Sequence, residues 1–351
     1  MNKGLFTAGS PADQGYQMPA EWAIHQGTWL SFPRPEGISF PDCYGPIPEV
    51  WAEMTKLLRN HEEVHLNYFD ESHLQILKNA LSQKGIQEGE NVFLHPFPAY
   101  EPWCRDHGPI VLKKGHDRAI VDWGYNAWGG KYPPFDLDDD IPSRVADFLK
   151  LPVFKNSIVM EGGSIEVNGE GTLLTTESCL LNPNRNPHLS KAEIEQQLRD
   201  YLGVTQILWL GDGIEGDDTD GHVDDLTRFV NPTTVVTVLE EDPHDSNYER
   251  LVENRKRLES MTTARGEKLQ IIDLPTPGVI EREGQRLPAS YANFYIANGI
   301  VLLPIFNHPN DKKAIDLLQA CFSTRQVVGI PSLDLIWGLG AYHCITQQIP
   351  A

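Results

Sequence analysis

The stretches SIEVNGEGTLLTT (residues 164–176) and SKAEIEQQLRDYLGVTQILWL (residues 190–210) carry the reading that decides the fold. Ser164–Val167 and Thr172–Thr176 are short apolar runs bounded by Gly and Asn, the pattern of two strands. Ser190-Lys191-Ala192-Glu193 is a capping box. Its hydroxyl and carboxylate satisfy the free amides at a helix start, and Gly203 supplies the stop after Leu202. Gln206–Leu210 is a third strand. The unit is therefore strand, strand, helix, strand.

The same order recurs outward from it. Strand-like runs fall at Gly27–Phe32, Val64–Phe69, Pro109–Leu112, Ala119–Trp123, Thr233–Leu239, Gly299–Ile305 and Gln326–Ile330. Helical periodicity falls at Glu49–Asn60, Ser72–Lys84, Asn247–Met261 and Asp311–Phe322. Connections are short, which points to an α/β protein built from similar units. No sequence repeat is visible, so the repetition is one of structure. Asp136–Asp140 reads as a short acidic surface run.

The chain has 351 residues, enough for two domains or one large closed one. Lys plus Arg number 29 and Asp plus Glu 49, a net charge of −20. That argues against a binder of nucleic-acid phosphates or of an anionic membrane surface, both of which need clustered cations. It is compatible with a small cationic substrate. No apolar run reaches the ~18–20 residues of a membrane span. Met1-Asn2-Lys3-Gly4-Leu5 lacks the apolar core of a signal peptide, so a cytoplasmic location is expected. Five cysteines, Cys43, Cys104, Cys179, Cys321 and Cys344, are widely spaced without a C-x-x-C. Neither a disulfide framework nor a zinc motif is expected. No nucleotide-binding glycine motif occurs, and no cofactor is expected.

Four segments concentrate polar, glycine-rich and aromatic residues. Trp103-Cys104-Arg105-Asp106-His107-Gly108-Pro109 precedes an apolar strand, and its turn can present Asp106 at the strand mouth. Taken alone it reads more simply as an Asx turn. Cys104 faces the same way as Asp106 if this chain is extended, yet it ranks below Cys344 as a reactive thiol. Met160-Glu161-Gly162-Gly163-Ser164 places a carboxylate beside backbone that can approach a ligand closely, or is a hairpin with a surface Glu. In Gly216–Asp225, His222 and Asp224 share a face if they lie on a strand, a candidate acid/base pair. A calcium loop fails there, because Gly216 and Thr227 stand where acids are needed. A His-x-Asp metal site lacks a further ligand motif. Gly338-Leu339-Gly340-Ala341-Tyr342-His343-Cys344 suggests a thiol exposed after a glycine turn. In extended chain His343 points away from Cys344, so His222 is the better base for it. Cys43, Cys179 and Cys321 read as buried packing.

A thiol, a histidine and several carboxylates suit attack on a cationic carbon. A guanidinium offers planar N–H donors that match carboxylates. The chain resembles the agmatine deiminase family, within the guanidine-modifying pentein group that includes bacterial peptidyl-arginine deiminase. The likeness runs from Met18-Pro19-Ala20-Glu21-Trp22 and Thr28-Trp29 through the four segments above. It includes Asn126-Ala127-Trp128-Gly129-Gly130-Lys131, Leu173–Glu177, Leu181-Asn182-Pro183-Asn184-Arg185-Asn186-Pro187 and Ser290–Tyr295, and closes at His343–Gln348.

The resemblance implies one catalytic domain over residues 1–351, a five-bladed α/β propeller of ββαβ units with the site in a central channel. It implies Cys344 as nucleophile, His222 as general acid/base and Glu161 as the acid paired with that histidine. Asp106 and Asp224 would bind the guanidinium, with Trp103 and Trp128 beside the substrate. The implied reaction is hydrolysis of agmatine to N-carbamoylputrescine and ammonia through a Cys-thiouronium, with no metal. A homo-oligomer is compatible with it. Free, methylated or peptidyl arginine are alternative substrates. An amidinotransferase, with an amine in place of water as acceptor, and a non-catalytic guanidine-binding protein are further ones. Leu339 and Tyr342 depart from the family's glycine-rich approach to the cysteine and are expected to reshape that turn.

Overall fold

The structure is a computed structural model, and it describes residues 9–351. The N-terminal stretch Met1–Leu5 lies outside the described residues.

Five sheets share one plan. In the third unit, Glu166–Val167 runs antiparallel to Thr172–Thr176, which runs parallel to Gln206–Leu210. A parallel pair needs a crossover, and the helix Lys191–Leu202 provides it. The second unit repeats this with Ile110–Lys114, Asp117–Gly124, helix Ile141–Leu149 and Val153–Val159. The fourth uses Thr227–Asn231, Thr234–Leu239, helix Tyr248–Glu259 and Gln270–Pro275. The fifth uses Tyr295–Ala297, Ile300–Ile305, helix Asn310–Cys321 and Gln326–Pro331.

The first unit is split across the chain. His25–Ser31 and Glu63–Asn67 pair in parallel around helix Ile47–Leu58, with Val92–His95 added beyond. Its antiparallel strand is Thr346–Pro350, the last strand of the chain. That pairing closes the set of five, as the expected ββαβ repetition requires.

Local chemistry explains the units. Ser190 and Glu193 form the capping box, and Gly203 ends the helix at φ 68°. A side chain at Gly203 would meet the carbonyl oxygen of Tyr16 at 2.6 Å. Ile194, Leu198 and Leu202 recur every fourth residue and are buried, so one stripe faces the core. The differences from expectation lie at sheet edges. Val153–Val159 and Gln270–Pro275 carry exposed polar positions and half-buried ones, and their apolar signal is weak. Ser164–Val167 shortens to a strand of two residues, Glu166–Val167. No described helix is long and apolar enough to cross a membrane.

A further regularity positions the site. Each unit's first strand is preceded by a tight turn: Cys104–His107 before Ile110, Gly162–Ser164 before Glu166, and Val223–Asp225 before Thr227. Residues 290–294 precede Tyr295, and residues 341–345 precede Thr346.

Candidate active site

These five turns converge. Asp106 sits on the first, a single helical turn, so the extended chain that would let Cys104 share its face is absent. That geometry sends Cys104 into a core with Trp29, Ala99 and Val111, away from Asp106. The Asp106 carboxylate accepts from Trp128 Nε1 at 2.9 Å and from the Gly163 amide at 3.0 Å. Trp128 reaches it at a cost. Ala127 and Trp128 both have left-handed backbone, at φ 51° and 55°. Such non-glycine residues are strained by roughly 1–3 kcal/mol each. Asn126 offsets this by accepting from Gly129 at 2.8 Å and donating to the Asn184 carbonyl at 3.0 Å.

His222 opens a 3-10 turn rather than lying on a strand, yet His222 and Asp224 both still point inward. Its Nδ1 lies 3.6 Å from Asp106 Oδ1, and its Nε2 lies 4.0 Å from Glu161 Oε2. Glu161 is held by Arg185, whose Nε donates at 2.7 Å, and Arg185 is fixed in turn by Asp220 and the Thr219 carbonyl. The backbone amide of His222 donates to Asp217 and to the Thr219 hydroxyl, both at 3.1 Å. The acidic run that invites a calcium reading therefore serves as a clamp for the histidine.

Cys344 is held from the fifth unit. Asn293 Nδ2 donates to its Sγ at 3.0 Å, and Asn293 Oδ1 accepts from the amides of His343 and Cys344 at 3.1 and 3.3 Å. The sulfur lies 3.7 Å from Asp224 Oδ2. His343 does point away from the thiol, as expected, but into the same acid. Its Nδ1 is 2.6 Å from Asp224 Oδ2 and its Nε2 is 2.8 Å from Glu21 Oε2. Glu21 also pairs with Arg105 and Arg228 at 3.2 and 3.0 Å. Tyr342 anchors the turn, donating to the Pro331 carbonyl at 2.8 Å. Leu339 adopts φ 69°. A side chain at Gly340 would strike the Trp103 ring at 2.4 Å, so glycine there makes room for the tryptophan.

Burial and charge set the protonation states. Burial pushes the Asp106 carboxyl up to about 6, helped by Asp224 and Glu161 and opposed by His222. Burial alone would lower His222, but Asp106, Cys179 and Asp224 hold it well above its ordinary value. Burial works to raise Asp224, and the hydrogen bond and charge of His343 outweigh it, leaving the acid low. Burial, Asp224, Asp225 and Asp106 keep the Cys344 thiol far above its ordinary value. Without a cation the sulfur is a thiol.

Asp106 and Cys344 line a cavity of about 270 Å³ walled by Trp103 and Trp128. Glu101, Tyr132, Asp218 and Leu339 also line it, and among the described residues no lysine or arginine does. Beneath it, Glu161 Oε2, Asp224 Oδ1 and both ring nitrogens of His222 are buried without a hydrogen-bond partner. Unmet polar groups of this kind normally await a ligand, water or proton transfer. Of the expected site residues, Cys344, His222, Asp106, Asp224, Glu161, Trp103 and Trp128 are brought together. Glu21, Asn293 and Arg185 join them, although their own residue types gave no signal beyond lying in the family-like stretches. Cys179 is the larger surprise, since its sulfur lies near His222 and Glu161.

Gly163 has no room for a side chain. An added methyl would sit 2.5 Å from His222 Nδ1 and 2.7 Å from Asp106 Oδ1. Gly163→Ala is therefore expected to cost roughly 1–3 kcal/mol by overpacking, lowering both turnover and Tm. Steady-state rates and thermal melts check this, and unchanged values for both would contradict the geometry.

A family model described as Porphyromonas-type peptidyl-arginine deiminase matches residues 17–350. A Yersinia pestis protein provisionally named agmatine deiminase is 38% identical, with 98% of each chain covered. The structure of Enterococcus faecalis agmatine deiminase superposes at TM-score 0.92 with 32% identity over 99% of each chain. A cysteine-to-serine variant of C. jejuni agmatine deiminase, solved with substrate bound, gives 0.86 with 29% identity over 96% of each. The chain belongs to this deiminase family, has its pentein fold, and is a hydrolytic enzyme.

Proposed function

We propose that the protein hydrolyses agmatine to N-carbamoylputrescine and ammonia. The observation that carries this is the acid-and-thiol floor of a cavity lined, among the described residues, by no lysine or arginine. Free arginine would bring a carboxylate into that cavity with no basic partner and with Glu101 and Asp218 to repel it. The distal ammonium of agmatine finds those acids favourable. The volume lies near the lower end of ligand clefts, ~300–1,000 Å³, which suits a slim molecule better than a peptide. The agmatine deiminase names of the relatives support the same substrate.

In this reading the guanidinium lies between Asp106 and Asp224, flanked by Trp103 and Trp128. Its charge offsets the carboxylates that keep Cys344 protonated, so the thiol ionises as substrate arrives, its proton passing to solvent and ending on the released ammonia. The thiolate adds to the central carbon to give a tetrahedral adduct. His222, held cationic, protonates the leaving nitrogen, and ammonia departs from a thiouronium. Neutral His222 then takes a proton from water, whose oxygen adds to the carbon. Collapse releases the ureido product and restores the thiol. Glu161, oriented by Arg185, holds the imidazole.

Ammonia release from agmatine, arginine and a peptide with C-terminal arginine, and methylamine plus ammonia release from methylarginine, tests the proposal. Agmatine is expected to have the highest kcat/KM by at least ~100-fold, the order of one buried charge–charge mismatch. A higher value for any of the arginine compounds would replace this substrate with that one.

A further inference from the structure

We infer that Glu161, Cys179 and His222 form a divalent-metal site of zinc type whose occupation switches the enzyme off. The three residues each offer one ligand atom, and those atoms lie within 4.8 Å of one another. All three side chains are buried. Glu161 Oε2 and both His222 nitrogens have no hydrogen-bond partner. Glu161 Oε2 is open to an ion because Arg185 occupies the other oxygen, Oε1, and at His222 an ion would replace the interaction with Cys179 and the longer charge contact to Glu161.

The donor set is a thiolate, an imidazole and a carboxylate. Zinc accepts this mixture at ~2.0–2.3 Å and commonly binds through three protein ligands plus one open position. Contraction by about 1 Å would bring the donors to such bonds. Calcium and magnesium are disfavoured, because they prefer oxygen. Asp106, Asp217 and Asp224 all act on His222 electrostatically and favour a cation, against the one opposing charge of Arg185 on Glu161.

Cys179 is pointed at this place by its backbone. It lies on the single turn Glu177–Leu180, where the Thr176 hydroxyl accepts from the Cys179 amide at 3.3 Å. It lies outside the cavity lining and touches no reacting atom in the chemistry above, acting there only through its interaction with His222. A metal bound here would take the His222 lone pair that the hydrolytic step uses. On binding, the ion displaces one proton from the thiol and any proton held at the ligating nitrogen. The inhibitory consequence rests on the proposed role of His222; the binding itself does not.

Two measurements test the inference. Zinc chloride added in a non-chelating buffer is expected to inhibit ammonia release reversibly, with full recovery in EDTA. Cys179→Ser is expected to need at least ~10-fold more zinc, the usual loss on removing a metal partner. EDTA alone should leave the unsupplemented enzyme's rate unchanged. Cobalt(II) added to Cys344→Ala should develop a sulfur-to-cobalt charge-transfer band that is absent from the Cys344→Ala/Cys179→Ser double variant. This second readout needs no turnover, so it stands whichever guanidine is the substrate, and it needs no activity from the Cys179 variant. Equal zinc sensitivity with and without Cys179, or no charge-transfer band in Cys344→Ala, would overturn the site.

Discussion

Cys344→Ser should release ammonia from agmatine at less than about one-thousandth of the wild-type rate, while the protein keeps its fold. Losing a nucleophile outright costs ~10⁴–10⁶-fold in comparable covalent enzymes. The physical reason is specific here. The sulfur sits among Asp224, Asp225 and Asp106, which already hold a thiol protonated until the guanidinium arrives. A hydroxyl starts from a far higher pKa, and one bound cation cannot ionise it. Serine is nearly isosteric and can still accept from Asn293 Nδ2, which lies 3.0 Å from the sulfur. Tm is therefore expected to shift by no more than ~2–4 °C. Labelling with a haloacetamidine, blocked by agmatine, should occur in the wild type and vanish in the variant. Ammonia release above one-tenth of wild type by the serine variant would rule out Cys344 as the nucleophile.

Asp106→Asn is expected to lower kcat/KM by ~10²–10⁴-fold. Removing one member of a buried charge pair costs about 3–5 kcal/mol, and the guanidinium is the partner left with half its counter-charge. The pH profile makes the prediction sharper. Asp106 titrates near 6 in the substrate-free protein. Above that it is ionised and attracts the cation; below it the acid is neutral. The wild-type kcat/KM should therefore fall as pH drops through about 6, reaching about one-tenth one unit lower. Asparagine cannot titrate, so this acid limb should flatten in the variant. Trp128 Nε1 and the Gly163 amide donate to different oxygens of Asp106, so the Asn carbonyl keeps only one of these two hydrogen bonds, and a thermal melt of the variant separates that loss from the loss of charge. An unchanged kcat/KM, or an acid limb identical in both proteins, would remove Asp106 from substrate binding.

The two predictions differ in how far the sequence supported them. Cys344 follows glycines, and Gly340 does what such a glycine suggests by admitting the Trp103 ring. The sequence reading puts Asp106 on a turn, and only an extended chain would let Cys104 share its face. The helical turn Cys104–His107 separates the two by rotating them, and Cys104 belongs to the core. The His343 reading was right about direction and silent about consequence. Adjacent residues point oppositely, but only the closed fold reveals that Asp224 and Glu21 lie on the side to which His343 points. Glu21 and His343 are 322 positions apart in the chain. No local pattern encodes such a contact, because it depends on the first and last parts of the chain pairing in one sheet.

Local interactions within about a dozen residues wrote the rest into the sequence. The capping box at Ser190, the left-handed stop at Gly203 and the four-residue stripe of the helix between them fix one ββαβ unit, since each acts across one or two turns of backbone. The likeness to known deiminases added the residues of the site as a set. Tertiary structure alone decided their arrangement. Five turns from five units meet at one place, and the low dielectric there makes a handful of carboxylates raise a thiol, hold a histidine charged and leave polar atoms unmatched. Those effects come from desolvation and from charge at short range, which exist only once the chain has closed around them.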